Sequence, residues 1–287
     1  AAAKAIRRRR VDRVTMSGAF SSLVTRALRT SQLAGQPSQQ SIYLVHAIAA
    51  QARIELNGLQ VVRSHWPIRQ AHLAPIWLLP ALLASPHCAQ LQRLVAFSST
   101  SVLSKQTSPD PAERALAQRL AEAEAALGAS GLHNWTIVRP TLIYGQNRDK
   151  NVAWIARMIK RFGFFPLIGS GAGLRQPVHA DDLAAAVGRI VASPATAGRI
   201  YELSGGETLS YRAMVARIFR AQRLPERIVS IPPWLFAALL GVLRLLPRFR
   251  HLHLEMAYRM NHDLCFSHAS ASRDFGYAPR RFDQPLD

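Results

Sequence analysis

Ser98, Ser99 and Thr100 stand directly behind an apolar run at residues 94–97, so three consecutive hydroxyl groups mark the end of a candidate strand. In a parallel sheet ligands collect at the carboxyl ends of strands, which makes this a place for chemistry on a bound molecule. The same holds for residues 139–145, which close the apolar run 135–138 and carry Arg139, Pro140 and Tyr144. A hydroxyl after a strand can equally cap a loop, and both roles stay open for Thr100. Asn147, Arg148 and Asn151 come next, as pocket lining or as caps of the following helix. Arg175 directly precedes the strand expected at 176–179, where an arginine can simply lie on the surface. No metal site is expected: His251, His253 and His262 lack a carboxylate partner at ligand spacing, and Cys88 and Cys265 are too few and too isolated. The glycines at 169, 171 and 173 are not followed by the Lys and Ser/Thr of a phosphate-binding loop.

The elements that must position these groups alternate between strand and helix. Apolar runs at 71–74 and 94–97 flank a helical stretch at 76–91, the rhythm of a parallel sheet with crossover helices. Residues 112–127 are rich in Ala, Leu, Glu, Gln and Arg and end at Gly128 and Gly131, which predicts a helix. Further strands are expected at 135–138, 176–179 and 200–203. Helices are expected at 152–162, at 183–191 with Asp181 or Asp182 as cap, and at 211–221 with Ser210 as cap. The stretch from Pro232 to Leu246 reads as a helix apolar around most of its circumference, with Arg244, Arg248 and Arg250 at its end. It predicts an exposed patch that docks to a membrane surface or to a protein partner. Weak strand candidates at 11–16, 42–46 and 59–62 complete the amino-terminal part.

The chain has 287 residues, 49% of them hydrophobic and 18% charged, with a mean hydropathy of +0.02, enough to build a core and against wholesale disorder. Its formal net charge is +19, and only Lys4, Lys105, Lys150 and Lys160 among the 36 basic residues are lysines. Residues 1–93 contain two acids, Asp12 and Glu55, against twelve Lys and Arg. Nucleic-acid binding through a basic surface is an alternative, but the arginines are scattered except at 7–10 and 244–250, so it is not the favoured one. The most apolar segments, 73–85 and 228–246, are short or interrupted, and neither predicts a membrane span. The cysteine usage fits a reducing compartment. A cytoplasmic location, with possible membrane association, is expected, and the Arg-rich start offers a mitochondrial alternative.

In order, LVAFSSTSV (94–102), TIVRPTLIYG (136–145), RQPVHADDLAAAV (175–187), YELSGGETLSY (201–211) and RDFGYAPRRF (273–282) resemble the extended short-chain dehydrogenase/reductases. More narrowly, they resemble the NAD(P)-dependent epimerase/dehydratase family of nucleotide-sugar enzymes. The resemblance implies an α/β fold, a Rossmann-like doubly wound parallel sheet with a smaller C-terminal substrate-binding region. Residues 1–70 would be a diverged first half of the Rossmann domain, 71–195 its second half, and 196–287 the substrate region. It also implies that Thr100 hydrogen-bonds the reacting sugar oxygen. Gly18, Ser98, Ser99, Arg139 and Pro140 would serve the cofactor, NAD or NADP, and Tyr144, Asn147, Asn151 and Arg175 a nucleotide-sugar-like substrate.

Two departures from the family pattern bear on activity. The family works with a Tyr and a Lys four residues apart on the helix expected at 112–127. Anchored on Glu124 these positions are Leu116 and Leu120, anchored on Glu122 they are Arg114 and Gln118, and a leucine cannot exchange a proton. The glycine-rich turn keeps Gly18 alone, with Thr15 and Ser21 at the other glycine positions and no acid about twenty residues on for the ribose. The expectation is a member with weakened or lost dinucleotide binding and little turnover. The alternative is a non-catalytic structural or assembly subunit on the same fold, as in respiratory complex I.

Overall fold

A computed structural model of the chain describes residues 68–72, 76–84, 91–145, 149, 151–243 and 259–282. In chain order its elements are β1 (Ile68–His72), α1 (Leu79–Leu83), β2 (Leu91–Phe97), α2 (Ser101–Ser104), α3 (Pro111–Gly128), β3 (Trp135–Pro140), β4 (Ile143–Tyr144) and α4 (Val152–Phe162). There follow β5 (Phe165–Ile168), β6 (Leu174–Arg175), β7 (Val178–His179), α5 (Ala180–Ala192), β8 (Arg199–Leu203), β9 (Leu209–Ser210), α6 (Tyr211–Ala221), β10 (Ile228–Ile231), α7 (Pro233–Leu243) and α8 (Ala269–Phe275).

The central sheet has the order β1-β2-β3-β8, and every neighbouring pair is parallel. Because successive side chains on a strand point to opposite faces, each strand feeds two cores. Leu94, Ala96 and Ile137 pack with Ile76, Leu79, Leu120 and Leu127 on one side, where α1 and α3 lie. Val95, Phe97 and Val138 pack with Leu183, Val187, Ile190 and Ala271 on the other, where α5 and α8 lie. Helices on both faces of a parallel sheet are the doubly wound α/β arrangement. A third cluster joins α4, β5 and α6 through Ile155, Ile159, Phe165, Val215 and Phe219, with the parallel pair β5–β10 at its edge. β8 and α8 pack with the central sheet, whereas α4 and β5 pack in the third cluster.

Helices α4 and α6 have the expected bounds. In α4, Val152, Ile155, Ala156 and Ile159 form the buried stripe, and Gly163 ends it at a φ of 73°, a conformation glycine adopts without a steric penalty. Three expectations are corrected. The helix expected at 76–91 is a 3-10 turn at Ile76–Leu78 and α1, and Leu91 already belongs to β2. The strand expected at 71–74 is β1, set by its parallel register with β2. The cap of α5 is His179, whose ring Nδ1 accepts from the Asp181 N–H at 3.1 Å, so Asp181 and Asp182 sit in the first turn where their charge meets the helix dipole. Gly18, the weak strands at 11–62, and Asn147 lie outside the described residues.

Candidate functional site

A cleft of about 400 Å³ opens at the carboxyl ends of β2 and β3. Its walls come from Ser99, Thr100 and Ser101 behind β2, Lys105, Ser108 and Glu113 around the start of α3, Thr141 to Ile143 behind β3, Asp149 and Asn151 before α4, Arg175 on β6, and Arg259 and His262. Four residues expected from the sequence, Ser99, Thr100, Asn151 and Arg175, therefore meet in one place.

Each is held by local chemistry. Thr100 is buried, and its hydroxyl donates to the Pro140 carbonyl at 3.2 Å, which also accepts the Thr100 N–H. The Ser99 hydroxyl accepts from the Ser101 N–H at 3.1 Å. Arg175 is almost fully buried; its Nη1 donates to the Leu174 and His262 carbonyls at 2.6 and 2.7 Å, and its guanidinium carbon lies 5.7 Å from the centre of the Tyr211 ring. Burial pushes the Arg175 pKa down, and burial pushes Tyr211 up to about 12, so the phenol stays protonated at neutral pH.

Five further cleft residues escape a reading by motif. Lys105 Nζ lies 2.9 Å from Glu113 Oε1, Arg259 Nη2 lies 3.7 Å from the same oxygen, and Ser108 donates to the other. Asp149 is buried: its Oδ1 accepts from the N–H groups of Asn151 and Ala153 at 2.9 and 3.0 Å, and its Oδ2 has no hydrogen-bond partner among the described residues. A buried carboxylate oxygen left unmatched is costly, and a ligand hydroxyl would satisfy it. Its one sequence signal is that Asp149 is the only acid between Glu124 and Asp181.

The other expected residues lie elsewhere. Ser98 donates to Glu124 Oε1 at 2.5 Å. Arg139 donates to both Glu124 oxygens and, at 3.1 Å, to Glu202, which ties β2, α3, β3 and β8 into one polar knot. Burial acts to lower the Arg139 pKa, but the hydrogen bonds and charges of Glu124 and Glu202 outweigh it and hold the pKa above its ordinary value. Tyr144, expected at the substrate, is fully buried between His179 and Phe282, with ring centroids 5.0 and 4.9 Å away, and belongs to the third core cluster. On α3, Glu124 is buried and Glu122 exposed, so the Glu124 register turns inward. Leu120 and Leu116 then lie in the apolar cluster with Ile76 and Leu79. In the other register, Arg114 donates to the carbonyls of Ser108 and Pro109 and Gln118 donates to Glu122.

A dinucleotide would call on the same groups. Ser98 and Arg139 are taken by Glu124 and Glu202, the Pro140 carbonyl is taken by Thr100, and of the expected cofactor positions among the described residues Ser99 alone lines the cleft. These residues do not fit the cofactor by themselves, and no hydride step follows from them.

A model of the NAD dependent epimerase/dehydratase family matches residues 40–204, more than half of the chain. An uncharacterized protein, y4nG, of Sinorhizobium fredii is 29% identical over 66% of this chain and 50% of its own length. The mitochondrial NADH dehydrogenase [ubiquinone] 1 alpha subcomplex subunit 9 of Arabidopsis thaliana is 32% identical over 42% of this chain and 29% of its own. The chain thus spans half or less of the length of these relatives. Among solved structures, dTDP-glucose 4,6-dehydratase from Bacillus anthracis in complex with NAD superposes with a TM-score of 0.54 over 76% of this chain and 70% of that one, at 15% identity. At that identity the likeness is one of fold.

Proposed function

Since the chain belongs to the NAD dependent epimerase/dehydratase family, we propose that it is an atypical member whose cleft binds a nucleotide-sugar-like anion but lacks the family's Tyr/Lys proton relay. Its dinucleotide affinity is weak or lost on the same reading. The observation that carries it is the setting of Leu116 and Leu120, which pack in the apolar cluster with Ile76 and Leu79, while Glu113, about a turn or more earlier on α3, lines the cleft. Lys105, Arg175 and Arg259 supply positive charge for a diphosphate, while Asp149 Oδ2 and Asn151 offer polar contacts to sugar hydroxyls.

The test joins turnover with binding. Purified full chain is assayed with UDP- and dTDP-sugars in the presence of NAD or NADP, and its melting temperature is followed with each ligand. The expected outcome is no turnover above background, together with a ligand-induced rise in melting temperature that Arg259→Ala reduces. Turnover abolished by Thr100→Val, or stoichiometric NAD(P) retained through gel filtration, would refute the loss of chemistry or of cofactor. No melting shift with any sugar nucleotide would refute the ligand.

A second reading is favoured by the similarity to the NADH dehydrogenase subunit: a non-catalytic subunit that uses the fold for assembly, with a mitochondrial place in place of a cytoplasmic one. Native electrophoresis of source membranes decides it. Comigration with NADH dehydrogenase activity supports the subunit, and migration as a free protein of this size speaks against it.

A further inference from the structure

Away from the cleft, α7 contains no charged side chain in its eleven residues, and the indole N–H of Trp234 is its only polar side-chain group. Leu240 is buried and Phe236 packs on the third cluster beside Ile155, Ile159 and Phe165, whereas Trp234 is 72% exposed and Leu235 and Leu239 are exposed as well. A helix seated in the core on one side and equally apolar on the other calls for a second low-polarity surface. Elements of the same cluster add to the exposed apolar area with Trp154 and Phe162 on α4, Phe164 before β5 and Val229 on β10.

The charge around them has one sign. Residues 152–169 and 223–243 hold Arg157, Lys160, Arg161, Arg223 and Arg227 against Glu226 alone. Among the described residues none of these five cations is in an ion pair. Arg161 lies 5.5 Å over the Phe162 ring. The sequence leaving α7 brings Arg244, Arg248 and Arg250 before the next acid, Glu255. Exposed tryptophan and phenylalanine beside unpaired cations suit the boundary between acyl chains and anionic head groups. We propose that α7 and the outward side of α4 dock on an anionic lipid surface. Trp234, Leu235 and Leu239 enter the head-group layer, and Arg157, Lys160 and Arg161 meet lipid phosphates. Among the described residues no helix is long and apolar enough to cross a membrane, so the contact they make is with the bilayer surface. The assignment does not depend on what the cleft holds.

The full chain is sedimented with vesicles of phosphatidylglycerol and phosphatidylcholine, and with vesicles of phosphatidylcholine alone. Binding is expected to the anionic vesicles and to weaken as salt rises. The triple variant Arg157→Gln/Lys160→Gln/Arg161→Gln lowers partitioning by about tenfold or more, since each cation near such a surface contributes roughly fivefold. Trp234→Ser/Leu239→Ser lowers it comparably, and both variants keep the parent's melting temperature because the altered side chains are exposed. Parent protein left in the supernatant with anionic vesicles, or unchanged partitioning of either variant, overturns the proposal. So does a dimer in size-exclusion chromatography that Trp234→Ser dissociates, since a second copy would then be what covers α7.

Discussion

Glu124 sits where the helix α3, the strand β3 and the loop behind β2 converge, and it accepts from both Arg139 and Ser98. Its side chain is 7% exposed and that of Arg139 is 15% exposed, so neither charge can turn to water if the other is removed. Arg139→Met leaves a buried carboxylate without its cation and is expected to cost about 3 kcal/mol, which urea denaturation measures. An Arg139→Met chain as stable as the parent would mean that Ser98 alone satisfies Glu124. The sequence placed Arg139 at a strand end, but its use was hidden, because the acid that claims it lies fifteen residues earlier on a different element. Asp149 was hidden for the same kind of reason: its significance is that one oxygen is buried without a partner among the described residues, and burial is a tertiary property. The place of Thr100 and Asn151 at the cleft was legible because strand ends and helix starts are local signals that a parallel sheet gathers on one side, whereas Arg175 is singled out only by the family resemblance.

At the scale of elements, the loop after β8 is the most constrained junction. A Cβ on Gly205 would lie 1.8 Å from the Pro177 carbonyl oxygen, and one on Gly206 would lie 2.2 Å from that of Pro279. Both contacts are with backbone, which cannot rotate aside as a side chain would. Gly205→Ala is therefore expected to lower stability by about 2 kcal/mol or more and to disturb β6–β7, measured as a fall in melting temperature. The pair of glycines was visible in the motif at 201–211, but not the strand connection that passes over it. Helices α4 and α6 were readable to their ends because an apolar stripe and a stop or cap coincide, Gly163 for the first and Ser210 for the second. The stretch after residue 76 misled because Ala- and Leu-rich composition suits a long helix, while the run 91–97 belongs to a strand paired on both sides.

For the whole molecule, a net charge of +19 means that each acid has many possible partners, and those that are hydrogen-bonded carry the acid-side stability. The Arg217 hydrogen bond, aided by its charge, holds Glu207 below the ordinary carboxylate range, and Arg217 also donates to the Phe282 carbonyl, fastening the carboxyl-terminal segment to α6. A carboxylate depressed in the folded state contributes above its unfolded pKa of about 4.3 and loses that contribution as pH falls through the lower folded value. Because the pair is partly exposed, its share is about 1 kcal/mol or less. Arg217→Met is expected to melt below the parent at pH 7, with the gap narrowing below about pH 4 as Glu207 protonates in both. A gap that persists undiminished at the lowest pH would assign the effect to the Phe282 contact instead. The knot on Arg139 also has an order in time. Synthesis runs from the amino terminus, so Glu124 is already made when Arg139 appears, whereas Glu202 arrives only after the chain has left β3, built the cleft wall and α5, and returned as β8. The parallel pairing of β3 with β8 closes that whole excursion, the kind of distant contact that forms slowly. While the ribosome is still extending the chain, Glu124 by itself must keep the nascent β3 edge electrically quiet.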